Sequence, residues 1–227
     1  MKLSVIVPCF NECATIEQLL LSVHAVDIEK EIIVVDGGST DGTVQILQKV
    51  PFIRLILAKT VGKGEAVKIG IDASLGDIVL IQDADLEYDP NDYHTLLQPI
   101  INNEADVVYG SRFLLKTNPK GKLSNYIANR ILTSLSNLYS KLKLTDMETC
   151  YKVFRASVIK QIDIKESKFG LEPELTAKVA KMECRIIEVP ISYNPRTKKE
   201  GKKIGLSDGI AAIKCIRKYN RRMKTRG

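Results

Sequence analysis

Residues 78–87 read Ile-Val-Leu-Ile-Gln-Asp-Ala-Asp-Leu-Glu, and this stretch bears on both the fold and the chemistry of the chain. Its first part, Ile78–Ile81, is a continuous apolar run, which is typical of a strand buried on both faces of a parallel sheet. Three carboxylates follow at Asp83, Asp85 and Glu87. In parallel α/β sheets, ligands bind beyond the carboxyl ends of the strands. We therefore expect these carboxylates to lie where a ligand binds.

Strand-like and helical patterns alternate around this stretch through roughly the first 110 residues. Short β-branched runs predict strands, and apolar residues spaced i, i+3, i+4, i+7 predict helices. The alternation favours an α/β fold with a mainly parallel, doubly wound sheet flanked by helices. We predict strands at Leu3–Val7, Glu31–Val35, Ile53–Leu57, Asp77–Gln82 and Asp106–Gly110, with helices around Ile16–Val23, Thr43–Lys49 and Gly64–Ser74. A further helix should begin at Pro90, with Asp89 as its cap and Tyr93, Leu96, Leu97 and Ile100 on its buried face.

The second half of the chain is less regular, and we treat residues 1–227 as one domain. We divide it into a ligand-binding half at 1–112, a second half at 113–205 and a basic C-terminal helix at 206–227. The predicted elements are helices at Leu123–Leu142, Glu172–Met182 and Leu206–Lys224, and strands near Arg185–Val189 and Ile191–Tyr193.

Composition excludes several classes of protein. The 44% hydrophobic and 27% charged content is that of a globular chain rather than a disordered or collagen-like one. With only His24 and His94, a histidine-rich metal site is excluded. Five cysteines without metal-ligand spacing predict reduced thiols and a cytoplasmic setting. No apolar stretch approaches the ~20 residues of a membrane span, so we predict none.

The charge of the chain is concentrated at its C-terminal end. Residues 196–227 carry 12 Lys/Arg against 2 Asp/Glu, whereas the first 195 residues carry 22 against 25. A basic tail favours an anionic partner such as a membrane, a phosphorylated ligand or nucleic acid. Its predicted helix has the pattern of a helix lying in a headgroup layer, although the apolar side could equally pack on the protein itself. The basic face holds Lys214, Lys218, Arg221 and Arg222, and the apolar side holds Leu206, Ile213, Ile216 and Tyr219.

The three carboxylates after residue 82 point to a divalent cation. In an extended backbone, Asp83, Asp85 and Glu87 would share one face. Like charges this close raise one another's pKa, and a hard cation relieves the repulsion. Oxygen ligands suit Mg²⁺ or Mn²⁺, and one or two carboxylates plus substrate phosphates is the usual Mg²⁺ arrangement. An acidic surface turn is the alternative.

The ends of the other predicted strands carry further candidate binding residues. Residues 8–12, Pro-Cys-Phe-Asn-Glu, form a plausible rim for a base or a simple turn. Asp36 begins a glycine-rich loop and could accept hydrogen bonds from a base or a ribose. The loop lacks the Lys-Ser/Thr pair of a P-loop, and no G-x-G-x-x-G dinucleotide motif occurs. Lys63, between two glycines at a helix start, could meet a phosphate or lie at the surface.

With these motifs the chain resembles the family 2 glycosyltransferases, which have the GT-A fold, over essentially its whole length. Asp83 and Asp85 match the family's D-x-D motif, and Gly110-Ser111-Arg112 matches its G-S-R. Residues 34–43 match the family stretch VVDDGSxDGT, except that Gly37 stands where many members have a second Asp. Because Gly37 has no side chain to contact a base, we assign that contact to Asp36.

Within this family, the likeness is closest to the dolichol-phosphate mannosyltransferase and polyprenyl-phosphate glycosyltransferase branch. Residues 145–155 resemble its D-x-x-x-G-[FY]-[KR]-x-[FY]-[RK] region, with Cys150 replacing the usual Gly. Residues 196–203 resemble its R-x-x-G-x-S-K acceptor segment, with Lys202 where Ser is usual.

The resemblance implies transfer of a sugar, with inversion, from a nucleoside diphosphate sugar such as GDP-mannose or a UDP-hexose. It implies a polyprenyl or dolichyl phosphate acceptor, Mg²⁺ or Mn²⁺ as cofactor, and a peripheral position on the cytoplasmic membrane face. The implied catalytic residues are Asp85 and Asp146, and the implied metal ligands are Asp83, Asp85 and Glu87. The implied nucleotide-sugar-binding residues are Pro8, Phe10, Glu12, Asp36, Lys63, Asp83 and Arg112, and candidates for the acceptor phosphate are Arg130, Arg196, Lys202 and Lys203.

Three functions stay open from the sequence. A polyprenyl phosphate is already anionic and needs cations but no strong base. A saccharide or glycolipid hydroxyl must lose a proton, and Asp146 would then be the base. In the first case Asp146 would instead order nearby cations. The third reading is a basic module that binds lipid or nucleic acid, but the acidic strand end would repel phosphate without a metal, so we predict no nucleic-acid partner.

Overall fold

The computed structural model describes residues 1–59, 62–118, 122–168, 170–196 and 206–220, the last range without the side chains of 206–208. The strands are β1 (Leu3–Cys9), β2 (Lys30–Asp36), β3 (Arg54–Leu57), β4 (Ile78–Ile81), β5 (Val107–Ser111), β6 (Lys152–Arg155) and β7 (Ile186–Pro190). The α-helices are α1 (Ile16–Ala25), α2 (Thr43–Leu47), α3 (Lys63–Ala73), α4 (Tyr93–Ile101), α5 (Leu123–Ser140), α6 (Ala156–Ile159), α7 (Leu171–Lys181) and α8 (Leu206–Asn220).

The strands form one seven-stranded sheet in the order β3-β2-β1-β4-β6-β5-β7. Strand β6 is antiparallel to β4 and to β5, and the other strands share one direction. This confirms the predicted mainly parallel sheet. The carboxyl ends of β1, β2 and β4 lie side by side, so the loops that follow them meet at one edge.

Successive side chains of each strand point to opposite faces of the sheet. Since apolar side chains lie on both faces, helices cover both. On β2, Ile33 and Val35 pack with Ala66 of α3, whereas Ile32 and Val34 join the main core. The same core takes the apolar stripe of α1, whose members are fully buried as the spacing predicts: Ile16, Leu19, Leu20 and Val23.

The predicted elements of the first half agree with the structure to within about two residues at each end. Asp89 caps its segment as expected, accepting a hydrogen bond of 2.9 Å from the backbone N–H of Asn91. A 3-10 turn at Pro90–Asp92 comes first, however, and α4 begins only at Tyr93.

The strand β6 does not follow from the sequence pattern. It is four residues long and has Lys152 and Arg155 at its ends, so it lacks the apolar run of a central strand. Lys152 is nevertheless only 1% exposed, and its ammonium donates to the backbone carbonyls of Met147, at 2.9 Å, and Thr149. These carbonyls stand in for water around the charge, so tertiary contacts override the local pattern.

The C-terminal helix α8 packs against α5 and α7. Its apolar side is used in that packing, since Ala212, Cys215 and Ile216 are buried. The ammonium of Lys218 lies 2.7 Å from the carboxylate of Glu166. The prediction that the apolar side of this helix lies in a headgroup layer is therefore wrong, because that side is buried against the protein. Arg221, Arg222 and the rest of 221–227 lie outside the described residues. Among the described helices, none is both long and apolar enough to cross a membrane.

Two glycines at the start of α3 allow the backbone at residues 166–167 to approach the first half of the chain. The backbone N–H of Gly64 donates to the carbonyl of Ser167 at 2.9 Å. A Cβ on Gly64 would lie 1.9 Å from the carbonyl oxygen of Glu166, and one on Gly62 would lie 2.7 Å from that of Ser167. Only glycine allows this close approach, and it places Lys63 within reach of Asp83 and Glu172.

Replacing Gly64 by Ala should therefore destabilise the protein by roughly 1–3 kcal/mol or more, because the new methyl group meets backbone rather than a yielding side chain. Gly209→Ala, within α8, is the matched control: its Cβ would meet no atom within 4 Å, so we expect a gain of about 0.5–1 kcal/mol. Urea unfolding followed by circular dichroism measures both. Equal effects of the two substitutions would contradict the close approach.

Candidate active site

The first carboxylate after β4, Asp83, is held by a cation from α3. The ammonium of Lys63 lies 2.7 Å from the carboxylate of Asp83 and 2.9 Å from that of Glu172 on α7. Burial works against both charges, but the attraction outweighs it, so the pKa of Lys63 is raised and that of Asp83 is lowered. Lys63, expected to meet a phosphate, is thus placed between two carboxylates, and Glu172 was not anticipated from the sequence.

The second carboxylate, Asp85, is held by Arg196. Its Oδ2 lies 2.6 Å from Nη2 of Arg196, whose Nη1 lies 3.1 Å from the carboxylate of Glu12. Arg196 therefore lies beside Glu12, which was assigned to the nucleotide sugar, and Asp85, which was assigned to the metal, rather than apart from them on an acceptor side. The backbone N–H of Arg196 also donates to Glu87 at 2.8 Å, and the hydroxyl of Tyr193 donates to Glu87 at 3.1 Å.

The backbone after β4 bends at residues 84–87 instead of staying extended. The backbone N–H of Glu87 turns back to the side chain of Asp85 at 3.0 Å. The three carboxylates are therefore not spaced along an extended strand, and Asp83, Asp85 and Glu87 each meet a different partner. Within the described ranges, no three His, Cys, Asp or Glu side chains are placed to hold an ion together.

The donor set nevertheless fits a hard cation that also has ligands from a substrate. Burial, then the neighbouring carboxylates of Asp83 and Glu87, outweigh Arg196 and raise the pKa of Asp85 to about 7. A divalent cation relieves the repulsion between carboxylates that are crowded together in this way, and oxygen ligands suit Mg²⁺ or Mn²⁺. The assignment of a metal to these residues stays a prediction.

The loops after β1 and β2 form the neighbouring part of the same edge. Phe10 is 52% exposed there and Pro8 is half-buried. Asp36 is buried at 1% exposure, and its carboxylate accepts from the N–H groups of Gly38, at 3.0 Å, and Ser39, at 2.9 Å. The hydroxyl of Ser39 donates to it at 2.6 Å. Asp36 therefore shapes the loop in this structure, and its contact with a base or ribose stays a prediction.

Arg112, after β5, and Asp146 form a buried bidentate pair. The guanidinium Nε and Nη2 of Arg112 donate to the two carboxylate oxygens of Asp146, each at 2.7 Å, and the backbone N–H of Arg112 adds a bond of 3.1 Å. Asp146 is fully buried. Burial lowers the pKa of Arg112, but Asp146 outweighs it and raises that pKa overall. Both oxygens of Asp146 are thus occupied by a cation.

Glu188 of β7 fixes the backbone of this pair. Its two carboxylate oxygens accept from the N–H groups of Thr145, at 2.7 Å, and Asp146, at 3.0 Å. Arg130 of α5 reaches the same segment, donating to the carbonyl of Thr145 at 3.1 Å, and is otherwise exposed. Arg112 and Arg130 thus meet at residues 145–146. The other two acceptor candidates, Lys202 and Lys203, lie outside the described residues.

Glu148 is a further ionisable group beside this pair. Burial first, then Glu172, outweigh the attraction of Lys152 and Arg112 and raise the pKa of Glu148 to about 8. Within the described part of the chain, no hydrogen-bond partner lies within reach of its buried Oε1. A carboxyl group of this kind is protonated near neutral pH.

Most of the strand-end residues of the site lie within a part of the chain that matches a known family. The profile of the family described as "Glycosyl transferase family 2" matches residues 4–163. The chain belongs to the family 2 glycosyltransferases.

Named relatives of this glycosyltransferase act on lipid phosphates. This chain is 30% identical to the undecaprenyl-phosphate mannosyltransferase of Micrococcus luteus, over 96% of its own length and 93% of that protein. It is 27% identical to the dolichol-phosphate mannosyltransferase of Pyrococcus furiosus, over 100% of this chain but only 65% of that protein. These likenesses support the predicted polyprenyl-phosphate branch of the family.

A solved structure shows the fold. Glucosyl-3-phosphoglycerate synthase from Mycobacterium tuberculosis, in complex with Mn²⁺, uridine diphosphate and glucosyl-3-phosphoglycerate, superposes with a TM-score of 0.75. The match covers 96% of this chain and 79% of that chain at 22% identity. The predicted GT-A fold is confirmed.

In this glycosyltransferase, the sequence motifs located the strand-end residues and two of their partners, Asp146 and Arg196, but not the partners that lie outside any motif. Glu172, Glu188 and Tyr193 carry no motif, and each acts through the sheet or helix that brings it to the site. Glu188 could have been suspected because it is a carboxylate in a β-rich run, but its partners at 145–146 could not.

The raised pKa of Asp85 predicts a pH-dependent effect of metal on stability. The native pKa of about 7 exceeds the ordinary value of about 3.9, so the metal-free native state holds an extra proton between those values. Its stability should fall as pH rises from about 4 to 7, by an amount of the order of a few kcal/mol. Mn²⁺ with a nucleoside diphosphate should therefore raise the unfolding temperature more at pH 8 than at pH 5.5.

Thermal unfolding with GDP and with UDP, each with and without Mn²⁺, measures this difference. Asp85→Asn is the control, because it lacks the titrating group and should lose both the pH-dependent component and the Mn²⁺ effect. A Mn²⁺ shift that is the same at both pH values, or that persists in the variant, would show that Asp85 does not hold the ion.

The Arg112–Asp146 pair should be a large contributor to stability. Asp146→Asn removes one charge from a buried pair and should cost about 3–5 kcal/mol, because Arg112 loses its compensating charge. The combined change Arg112→Met with Asp146→Leu should recover much of that loss, since neither charge is then buried alone. Guanidinium unfolding measures the free energies.

An exposed pair provides the comparison. Lys165 and Asp163 are paired at 2.5 Å with side chains 60% exposed, so water screens the pair and Asp163→Asn should leave the free energy of unfolding nearly unchanged. A loss that small for Asp146→Asn would mean that water reaches the Arg112–Asp146 pair.

Proposed function

We propose that this glycosyltransferase moves a sugar from a nucleoside diphosphate sugar to a polyprenyl phosphate, with inversion, at a membrane surface. The names of its relatives support the acceptor, since both the Micrococcus and the Pyrococcus protein are lipid-phosphate mannosyltransferases. Their likeness also supports GDP-mannose as the first donor to test, with UDP-hexoses next. A peripheral place on the cytoplasmic face of the membrane is part of the proposal.

The main observation behind the choice of a phosphate acceptor is that Asp146 is buried and paired with Arg112. Both of its carboxylate oxygens accept from Arg112 at 2.7 Å, and it is fully buried. A carboxylate held in this way is poorly placed to take a proton from a sugar hydroxyl. A phosphomonoester needs no such base, because it is already anionic at neutral pH. Asp146 then serves to orient Arg112.

The cations around the site supply what an anionic acceptor requires. Arg112 and Arg130 reach residues 145–146 from β5 and α5, and Arg196 lies against Asp85 at 2.6 Å. Arginine binds phosphate through its planar fork of donors, which orients the attacking oxygen. We assign Arg130 to the acceptor phosphate, with Lys202 and Lys203 as further candidates, while Arg112 stays with the nucleotide sugar and Arg196 bridges the donor and acceptor sides.

The donor occupies the loops after β1, β2 and β4 in this proposal. Phe10 offers an exposed ring to the base, with Pro8, Glu12 and Asp36 forming the remaining wall. Asp85, with Asp83 and Glu87, would hold Mg²⁺ or Mn²⁺ on the diphosphate, and the ion supplies charge neutralisation of the departing nucleoside diphosphate. Lys63 orients Asp83 rather than meeting the phosphate directly. Residues 1–112 would bind the donor and 113–205 the acceptor.

One observation favours a second function, the extension of a saccharide or glycolipid. Glu148 is mostly protonated at neutral pH, but its raised pKa of about 8, beside Arg112, lies close enough to the working pH for the ionised fraction to act as a general base. The first proposal assigns Glu148 no proton transfer. The two proposals therefore differ in what its replacement does.

Glu148→Gln separates them. With a polyprenyl phosphate acceptor, we expect kcat/KM to stay within about threefold of the native value, because Gln imitates the protonated carboxyl group. With a hydroxyl acceptor that needs a base, the same change should lower kcat by about 100-fold or more. Transfer of radiolabelled sugar from GDP-mannose, UDP-glucose and UDP-N-acetylhexosamines to extractable undecaprenyl phosphate measures the rate.

Two controls bound this experiment. Asp85→Asn should lower transfer by about 100-fold or more, and Asp163→Asn, a surface carboxylate, should leave it unchanged. Transfer to a saccharide in the absence of any lipid phosphate, abolished by Glu148→Gln, would replace the first proposal by the second.

A further inference from the structure

Glu148 differs from the carboxylates that shape the fold, because one of its oxygens lacks a partner. Both oxygens accept hydrogen bonds in the side chains of Asp36, Asp146, Glu174 and Glu188. Among the described residues, Oε1 of Glu148 is the only buried carboxyl oxygen without a hydrogen-bond partner. Leaving a buried polar group unpaired costs stability, which points to a partner that a ligand supplies.

The backbone on either side of Glu148 is fixed by other parts of the chain. The N–H of Met147 donates to the hydroxyl of Thr133 at 3.1 Å. The ammonium of Lys152 donates to the carbonyls of Met147, at 2.9 Å, and Thr149. The segment is thus held by contacts that do not involve the carboxyl group of Glu148, and that group is pre-organised for a ligand.

Glu148 lies among residues that the proposed function gives to the donor. The charges that act on it most are those of Glu172, which pairs with Lys63, and those of Lys152 and Arg112. Its side chain is only half-buried, and rotation about its last torsion exchanges the two carboxyl oxygens. A bound ligand can therefore reach either oxygen.

The same position adjoins the acceptor side of the site. Arg130 donates to the carbonyl of Thr145 at 3.1 Å, three residues before Glu148 in the chain. In the proposed function, the sugar that is transferred lies between the diphosphate of the donor and the phosphate of the acceptor. We therefore place Glu148 beside that sugar.

The protonation of Glu148 suits a contact with a sugar. Its raised pKa of about 8 leaves the carboxyl group mostly neutral near neutral pH. A neutral carboxyl group has one O–H donor together with acceptor oxygens, and a sugar hydroxyl likewise both donates and accepts. The two groups can therefore pair without placing a further buried charge beside Glu172.

We propose that the carboxyl group of Glu148 binds one hydroxyl group of the sugar that is transferred. The inference rests on the proposed function, since it needs a nucleoside diphosphate sugar in the site. Glu148 then selects the donor by its sugar, because a donor without that hydroxyl group leaves the carboxyl group unpaired. Sites that hydrogen-bond a hydroxyl group reject the analogue that lacks it for this reason.

Donors that lack one hydroxyl group at a time, together with Glu148→Met, test this contact. GDP-mannose is compared with its 2-, 3-, 4- and 6-deoxy forms, or UDP-glucose with the same series if that is the donor used. For the native protein, the deoxy donor that lacks the bound hydroxyl group should be about 10- to 100-fold poorer in kcat/KM. Met has nearly the length of Glu but forms no such hydrogen bond. The variant should therefore lose that one penalty and keep the penalties of the other deoxy donors.

Three further measurements separate sugar binding from a structural role. Glu148→Gln should keep the preference among the donors, because the amide both donates and accepts. Glu148→Met should raise the unfolding temperature by roughly 2–4 °C, since it removes an unpaired buried group. Glu174 of α7 is the matched control, because its oxygens accept from the N–H groups of Lys165 and Glu166, each at 2.8 Å. Glu174→Gln should lower the unfolding temperature without changing the preference among the donors.

Each other outcome overturns the proposal. If Glu148→Met keeps every penalty of the native protein, residue 148 does not contact the sugar. If it loses activity equally with every donor and unfolds at a lower temperature, Glu148 has a structural role, and a kcat lowered alike for every donor in Glu148→Gln makes it a base. Failure of the proposed function looks different: calorimetry with Mn²⁺ and no acceptor shows the donor preference and its loss, but no polyprenyl phosphate receives sugar.

Discussion

The ammonium group of Lys63, between Asp83 at the end of β4 and Glu172 on α7, holds the site together. A parallel sheet delivers acidic residues to one edge, and they can stay ionised there only if cations reach them. Lys63 reaches both carboxylates, at 2.7 and 2.9 Å, because two glycines let the segment at 166–167 approach the start of α3. The same ion pairs join the first half of the chain to the second.

The same rule explains the rest of the site. Arg196 neutralises Asp85 and Glu12, and Arg112 neutralises Asp146, so each cation is delivered by a different element from its carboxylate. Despite Arg196, Asp85 stays buried and crowded by Asp83 and Glu87, so its pKa rises to about 7. In the function we propose, a substrate with its own phosphates and cation would exchange partners with Arg196, and donor binding would then be linked to the segment at 193–196.

Sequence patterns predicted the first half well because its elements are long, regular and locally consistent. The apolar stripe of α1 and the run of β4 each needed only their own residues. Strand β6 and the partners Glu172 and Glu188 depend on contacts far away in the chain, for which local periodicity contains no signal. The family motifs found Asp85, Asp146 and Arg112, yet the pairing of Arg112 with Asp146 became clear only from the fold.

The antiparallel strand β6 has a consequence for how the chain is made. It lies between β4 and β5 in the sheet but follows both in sequence, pairing Leu80 with Val153 and Val108 with the same residue. A nascent chain that ends at residue 112 therefore has β4 and β5 with no strand between them and unpaired backbone groups on their facing edges. The sheet formed by the first half of the chain cannot be completed until ribosomes have released residues beyond 155, so those edges stay open to aggregation until part of the second half has been made.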